Sequence, residues 1–376
     1  MRSLTATAVV LLSAAALSAQ AQAPTPAAPS STAEPTAPVT PAAEVRPSFA
    51  DWLDGVRQEA AGRGISAATI ATTLSDIPEP LPVVLERDRA QAETVLALET
   101  YINRRLTTTL IRRGRDMAAR HKGLLDRIGD EYGVPPRIIA GIWGVESNFG
   151  AFSGTRPTVA ALATLAYDPR RSALFRRELF NALEIVDRGD IEPARLRGSW
   201  AGAMGQPQFM PSSYLQFAVD YDKDGRRDIW ATPDDVFASI GNYLKGHGWQ
   251  AGQPWVREVR VSREVSQRVA ADVARRSGSC GARRDMTVPL TLTEWQKIGV
   301  RTMAGRALPG TSQRASLVSG SSRAFLVFDN YDALLEYNCS NAYALSVVLL
   351  GERLAGGAPT PAQPAPARRQ APRRRS

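Results

Sequence analysis

Apolar positions along this chain follow two rhythms. From Phe49 to about Val186 they recur every three or four residues, the spacing of amphipathic helices. "PSFADWLDGVRQEAAGRG" opens on Ser48, an N-cap candidate, and closes on glycine. "RDMAARHKGLLDRIGDEYG" and "RSALFRRELFNALEIVDRGD" read as single helices closed by glycine, and "DDVFASIGNYLKGHGW" as another with a glycine stop. Between about 255 and 330 the rhythm shortens. "WVREVRV", "MTVPLTL" and "AFLVF" are β-prone runs set among Gly and Ser clusters. "NAYALSVVLLGERL" then returns to helix. No internal repeat is evident. The pattern predicts an α+β chain, mainly α, with a small β-rich insert.

One helix breaks its own pattern. In "VPPRIIAGIWGVES", Pro135 and Pro136 suit a first turn, where a missing N–H costs little. Ile139, Ile142 and Trp143 then share a face with Glu146, which ends the apolar stripe. A carboxyl group there loses water, its pKa rises, and it can donate a proton near neutral pH. On this helix alone the ordinary reading carries more weight: a helix-end glutamate turned to solvent or paired with an arginine.

The ends of the chain differ in character. Residues 1–23 carry Arg2, a short apolar run and Ala21-Gln22-Ala23, the form of a secretory signal cleaved after Ala23. The run is short for a transmembrane anchor. No cysteine stands near the cleavage site to take a lipid, so the expectation is a periplasmic protein without a lipid anchor. Residues 24–46 are Pro/Ala/Thr-rich and read as an extended linker, and 356–376 as a disordered basic tail. The net charge of +9 includes five tail arginines and Arg2, so the folded part has an ordinary balance. The tail reads as solvated, or as a weak contact to wall polymer or membrane headgroups. Export and the lack of a recognised motif argue against nucleic acid. Cys280 and Cys339 are the sole cysteines; export favours a disulfide over two buried thiols.

A second informative stretch is "GSWAGAMGQPQFMPSSYLQFAVDYDKDGRRDIW", residues 198–230. Gly198, Gly202 and Gly205 leave backbone bare where something must approach closely. Gln208, Ser212 and Ser213 add amide and hydroxyl groups, and Phe209, Tyr214 and Phe217 add flat surfaces. That mixture suits a sugar. Its second half, "DYDKDGRRDIW", fits the first half of an EF-hand loop. Asp220, Asp222 and Asp224 stand at positions 1, 3 and 5, Gly225 at the turn, the Arg226 carbonyl at 7 and Asp228 at 9. Position 12 is Ala231 instead of glutamate. An acidic surface turn is the alternative.

"WGVES", "GSWAGAMGQPQFMPSSY", "DYDKDG", "NYLKGHGW" and "YNCSNAYA", in this order, resemble the B-type lytic murein transglycosylases. The resemblance runs from about Phe49 to Leu354. It implies a lysozyme-like catalytic core and cleavage of the β-1,4 bond between N-acetylmuramic acid and N-acetylglucosamine in peptidoglycan, ending in a 1,6-anhydromuramoyl product. It places the sole acid/base on Glu146 and substrate contacts on Ser199, Gln208, Tyr243, Tyr337, Asn338, Tyr343 and Tyr101. It also implies a structural calcium ion, with a later aspartate closing the loop, for which Asp234 is the candidate; no organic cofactor is implied. Two departures stand out: "GQPQF" where the family pattern is "GYGQF", so that Pro207 removes a backbone donor, and Cys339 beside Asn338.

Retaining glycosidases ordinarily use two carboxylates. No second acid is tied by motif to Glu146. With one carboxyl group, Glu146 protonates the leaving oxygen, the substrate's N-acetyl group stabilises the developing cation, and the ionised Glu146 deprotonates the C6 hydroxyl. Two other readings remain open: a hydrolytic muramidase and a non-catalytic peptidoglycan-binding protein. The expected organisation is a helical, lysozyme-like region over 47–254 with the metal loop at 220–234, a β-rich subdomain over 255–330, and a helix over 331–355 completing the core.

Overall fold

The computed structural model describes residues 46–91 and 96–355; the signal segment, nearly all of the linker and the basic tail lie outside the described residues. The first part of the described chain is mostly helical: α1 (Phe49–Gly62), α2 (Ala67–Leu74), α3 (Pro82–Gln91), α4 (Leu98–Arg105), α5 (Thr108–Arg120), α6 (Lys122–Tyr132), α7 (Pro136–Ser147), α8 (Thr158–Tyr167) and α9 (Ser172–Asp187). A short ribbon pairs β1 (Arg156–Pro157) with β2 (Arg197–Gly198), and α10 (Pro211–Phe217) and α11 (Pro233–Gly246) follow. No helix among the described residues is long and apolar enough to cross a membrane.

The local signals act as physical chemistry requires. The Ser48 hydroxyl accepts the Asp51 N–H at 3.1 Å and caps α1. Pro136 opens α7, and Gly133 in the left-handed region closes α6. The segment read as one helix over 115–133 is two. The chain breaks at His121, whose ring lies 5.6 Å from both Trp143 and Phe237. Tertiary packing of that ring outweighs the continuous helical pattern.

The insert comprises β3 (Val256–Arg260), α12 (Arg263–Asp272), α13 (Gly281–Arg284), β4 (Leu290–Thr291), α14 (Leu292–Ile298), β5 (Arg301–Thr302), β6 (Arg314–Ser319) and β7 (Ala324–Val327). Its antiparallel sheet has the order β4-β6-β7-β3-β5. Val259, Leu292, Trp295, Leu317 and Leu326 form a core separate from that of the helices. The chain returns through α15 (Asp329–Tyr337) and α16 (Asn341–Leu354).

Helix α7 is buried from Ile138 to Val145, on every side, where the sequence pattern predicts a one-sided stripe. Its inner neighbour is α16, buried from Tyr343 to Gly351. Two glycines set how closely these helices approach. A Cβ at Gly141 would stand 2.4 Å from the Val347 carbonyl oxygen, and one at Gly351 would stand 2.4 Å from that of Arg137. Gly141→Ala should therefore cost about 1–3 kcal/mol through overpacking against backbone that cannot yield. Gly55→Ala on α1, where the added carbon meets nothing, should be neutral or gain up to about 1 kcal/mol. Denaturant unfolding of the two variants compares them, and equal stabilities would contradict the packing described.

Candidate active site

The buried helix α7 ends at an unusual exit. Asn148, Phe149 and Gly150 take φ of 51°, 57° and 73° in succession, all left-handed. Asparagine and glycine tolerate this; a phenylalanine costs about 1–2 kcal/mol. The strain is offset by burial, since the Phe149 ring is 1% exposed and meets Trp143 edge-on at 5.3 Å. The Ser147 hydroxyl donates to the Trp143 carbonyl at 2.9 Å and accepts the Gly150 N–H at 3.0 Å. The sharp exit ends the helix one residue past Glu146, at Ser147, and sends the chain away, leaving the Glu146 side chain in a cleft.

The cleft has a volume of about 260 Å³, and Glu146 lines it together with Arg105, Thr107, Leu110, Asn148 and Phe152. Phe152, 56% exposed, is a large apolar side chain at its edge. Desolvation pushes the Glu146 carboxyl up to about 7, against the pull of the Tyr343 hydroxyl and the Arg105 guanidinium. Arg105 also donates to the Val145 carbonyl. No second carboxylate bears on Glu146 among the described residues.

The other sequence-predicted residues occupy distinct places. Tyr343 is buried; its hydroxyl, which lowers the Glu146 carboxyl, has no hydrogen-bond partner within 3.5 Å. Tyr101 on α4 is raised mainly by burial, and the charges of Arg105 and Glu146 act on it with opposite sign. Tyr337 also feels Glu146, and its hydroxyl donates to the Pro207 carbonyl at 2.7 Å. Tyr243 sits one layer behind: 7% exposed, 4.6 Å from the Tyr337 ring, its hydroxyl donating to the Glu336 carbonyl at 2.8 Å. Its burial leaves it no free ring face for a sugar. Asn338 is exposed in the turn after α15.

Ser199 and Gln208 belong to the facing glycine-rich loop. The Ser199 hydroxyl accepts the Ala201 and Ala203 N–H groups at 3.2 and 3.1 Å, which leaves its proton free to donate. Gln208, at φ 53°, donates to the Gly205 and Ser153 carbonyls at 2.8 and 3.2 Å. The loop leaving Glu146 is thereby tied to the glycine-rich loop, as it is by β1 and β2.

Sequence reasoning missed Arg105, Phe152 and Gln206. The buried Gln206 accepts the Trp143 indole N–H at 2.6 Å, donates to the Trp230 carbonyl at 2.9 Å, and its own N–H reaches Ile229 at 2.9 Å. It joins α7, the glycine-rich loop and the acidic loop. Glu99, at the start of α4, was missed too. Burial raises its carboxyl, but donors from Ser321 and Ser322 outweigh that and hold it at about 2. It fastens α4 to the turn between β6 and β7.

In the acidic loop, carboxylate oxygens of Asp220, Asp222 and Asp235 gather within 4.8 Å of one another. The carboxylate that joins Asp220 and Asp222 is that of Asp235, not Asp234: both stand in the first turn of α11, but the buried Asp235 turns back to accept the Tyr221 and Asp228 N–H groups, each at 2.7 Å. Asp224 lies outside the trio, its carboxylate accepting the Arg226 N–H at 2.8 Å. The Asp220 Oδ1 atom is buried without a partner. Three converging carboxylates, one with an orphaned buried oxygen, fit a hard divalent cation held by oxygen. Cys280 and Cys339 form a disulfide with Cα atoms 5.7 Å apart.

A mainly helical, lysozyme-like fold with a small sheet is the class defined here. The chain belongs to the Transglycosylase SLT domain family, which matches residues 48–352. It is 46% identical over 133 residues to membrane-bound lytic murein transglycosylase B of Escherichia coli K12. That alignment takes in 35% of this chain and 37% of the relative, so it spans little more than a third of that protein. The crystal structure of Pseudomonas aeruginosa SltB3 in complex with NAG-anhNAM-pentapeptide superposes with a TM-score of 0.74 at 39% identity, covering 82% of this chain and 80% of that one. The E. coli lytic transglycosylase Slt35 in complex with calcium gives 0.68 at 29% identity, covering 83% and 93%.

A glutamate whose pKa is raised in the folded protein favours folding below its unfolded value of 4.5 and loses that contribution as pH climbs through about 7. Glu146→Gln should therefore match the parent near pH 4 and exceed it above pH 7, by at most about 3 kcal/mol. Thermal unfolding across that range tests this, and a stability difference independent of pH would contradict the burial described.

Proposed function

We propose that the protein cleaves the β-1,4 bond between N-acetylmuramic acid and N-acetylglucosamine in peptidoglycan and releases a 1,6-anhydromuramoyl product. The observation carrying this reading is the lone carboxyl group of Glu146, held protonated near neutral pH in an open cleft with no second carboxylate bearing on it. Support comes from SltB3, captured with an anhydro-sugar pentapeptide.

Glu146 donates its proton to the bridging oxygen as the bond from C1 breaks. The substrate's N-acetyl group shields the cation. Arg105 and the Tyr343 hydroxyl stabilise the resulting carboxylate, which then takes the proton of the C6 hydroxyl as that oxygen bonds to C1. One proton passes from the C6 oxygen to the leaving oxygen through Glu146, and no water is consumed. The Ser199 hydroxyl, Gln208 and Asn338 orient the glycan. Tyr337 offers a ring edge, its hydroxyl being already engaged. Tyr243 supports Tyr337 from behind.

Calcium in the acidic loop completes the proposal. Asp220, Asp222 and Asp235 would hold it, with the Arg226 carbonyl as a further oxygen, and its contribution is rigidity of the loop. Residues 1–23 direct the chain to the periplasm, a compartment compatible with the Cys280–Cys339 disulfide.

Glu146→Gln should keep glycan binding and lose more than about 10²-fold in turnover, the usual effect of removing a general acid/base. Mass spectrometry of digested sacculi should show products one water lighter than hydrolytic muropeptides. Hydrolytic masses would establish a muramidase instead, and no release at all a binding protein. Calcium should raise the melting temperature by several degrees and a chelator reverse it, with Asp235→Asn abolishing the increment. A melting temperature indifferent to calcium would exclude the ion.

A further inference from the structure

The turn between α15 and α16 carries Tyr337 and Asn338 at one end and leads into Tyr343 at the other. Asn338 and Cys339 are exposed there, so burial does not fix their position. Within the turn, local bonds hold the backbone: the Ser340 N–H to the Asn338 carbonyl at 2.7 Å, and the Tyr343 N–H to the Ser340 hydroxyl at 3.3 Å.

Tyr243 holds the Glu336 carbonyl, Tyr337 holds that of Pro207 and Tyr331 reaches Asn341; a further group of anchors comes from one segment of the insert, residues 276–284. Arg276 pairs with Asp332 of α15 at 2.9 Å. Arg283 pairs with Asp332 at 3.3 Å and with Glu336 at 2.6 Å. Asn341, the first residue of α16, donates to the Ala282 carbonyl at 2.8 Å. The disulfide joins Cys280, the N-cap of α13, to Cys339, next to Asn338. Beside it lies a cavity of about 440 Å³, lined by Leu98, Ala282, Val318, Cys339 and Asn341. An untethered turn would have room to move there.

We propose that the Cys280–Cys339 disulfide, together with the Arg283 ion pairs, is a positioning device: it fixes the α15–α16 turn, and with it Tyr337 and Asn338, relative to Glu146. This rests on the glycan-cleaving reading above. It differs from a role in stability alone. A cross-link that only restrains the unfolded chain alters the melting temperature and leaves the folded enzyme's kinetics unchanged. A positioning link alters the kinetics of folded protein, because a small misplacement of orienting groups lowers the rate steeply.

The test uses the oxidised full chain, its reduced form with two free thiols counted, and Cys280→Ser/Cys339→Ser, all assayed well below the melting temperature with unchanged far-UV circular dichroism. Reduction and the double variant should each lower kcat/KM on glycan strands about 10-fold. Bridging the two reduced thiols with a one-carbon linker should restore most of it. Kinetics within twofold of the oxidised protein, with both thiols free, overturn the proposal. Should reduction unfold the chain, Arg283→Ala in the oxidised protein takes its place. A fall in kcat/KM of at least threefold supports the proposal, and parental kinetics overturn it. Failure of the glycan-cleaving reading looks different, because the oxidised protein itself then releases no anhydro product.

Discussion

A carboxyl group whose pKa burial lifts to about 7, at the end of a helix buried on all sides, is the constraint that the surrounding structure answers. Burial of α7 from Ile138 to Val145 supplies dry surroundings. The successive left-handed residues Asn148, Phe149 and Gly150 end the helix before Glu146 can be covered. The two effects oppose each other: more burial would close the cleft, and a gradual exit would let the side chain swing into water. Phe149 reconciles them, since its strained backbone is held by a ring locked against Trp143. Arg105 moderates the outcome. With desolvation unopposed, the group would ionise only with difficulty.

Hydrogen bonds within the site divide its polar groups into those already committed and those with capacity left. Tyr243 and Tyr337 have given their protons to the Glu336 and Pro207 carbonyls. Gln208 has given its amide hydrogens to Gly205 and Ser153. What remains is the Ser199 proton, the Gln208 carbonyl, the exposed Asn338 amide and the Tyr343 hydroxyl, a small set of mixed donors and acceptors suited to sugar hydroxyl and acetamido groups. Pro207 illustrates the same economy. It brings no N–H of its own, yet its carbonyl fixes the ring of Tyr337.

The mainly helical fold with its small sheet was legible because its signals are local. Ser48, Pro136 and Gly133 act within a turn of their own positions. Runs such as "AFLVF" and "WVREVRV" fall on β7 and β3 for the same reason. The strand β6 and the helix α14 went unread, their segments short and lying among Gly, Ser and Thr. The break at His121 depends on Trp143 and Phe237, distant in sequence, and no periodicity carries that information. Arg105 and Gln206 were invisible for a related reason. Each works by reaching a backbone carbonyl or indole on another element, and a carbonyl leaves no trace in a residue's identity. Asp234 and Asp235 differ only in which way the first turn of α11 points them, a matter of about 100° of helical rotation.

Gln206 gives the acidic loop a bearing on Glu146 that contact alone would not suggest. Among the described residues, no hydrogen bond joins residues 220–235 to the residues lining the Glu146 cleft. Yet the loop delivers Ile229 and Trp230 to Gln206, and Gln206 in turn grips the indole of Trp143. Trp143 is also the wall on which Phe149 rests, and Phe149 sets the exit that frees Glu146. Four links therefore lead from the loop towards the carboxyl: two hydrogen bonds from Gln206 to the Ile229 and Trp230 carbonyls, one from the Trp143 indole to Gln206, and the ring contact of Trp143 with Phe149. Loosening the loop would relax Gln206 first, then the indole, and only then the strained turn. The position of the functional group is in this sense a property of the packed helical core, and the acidic loop is one of its outer supports.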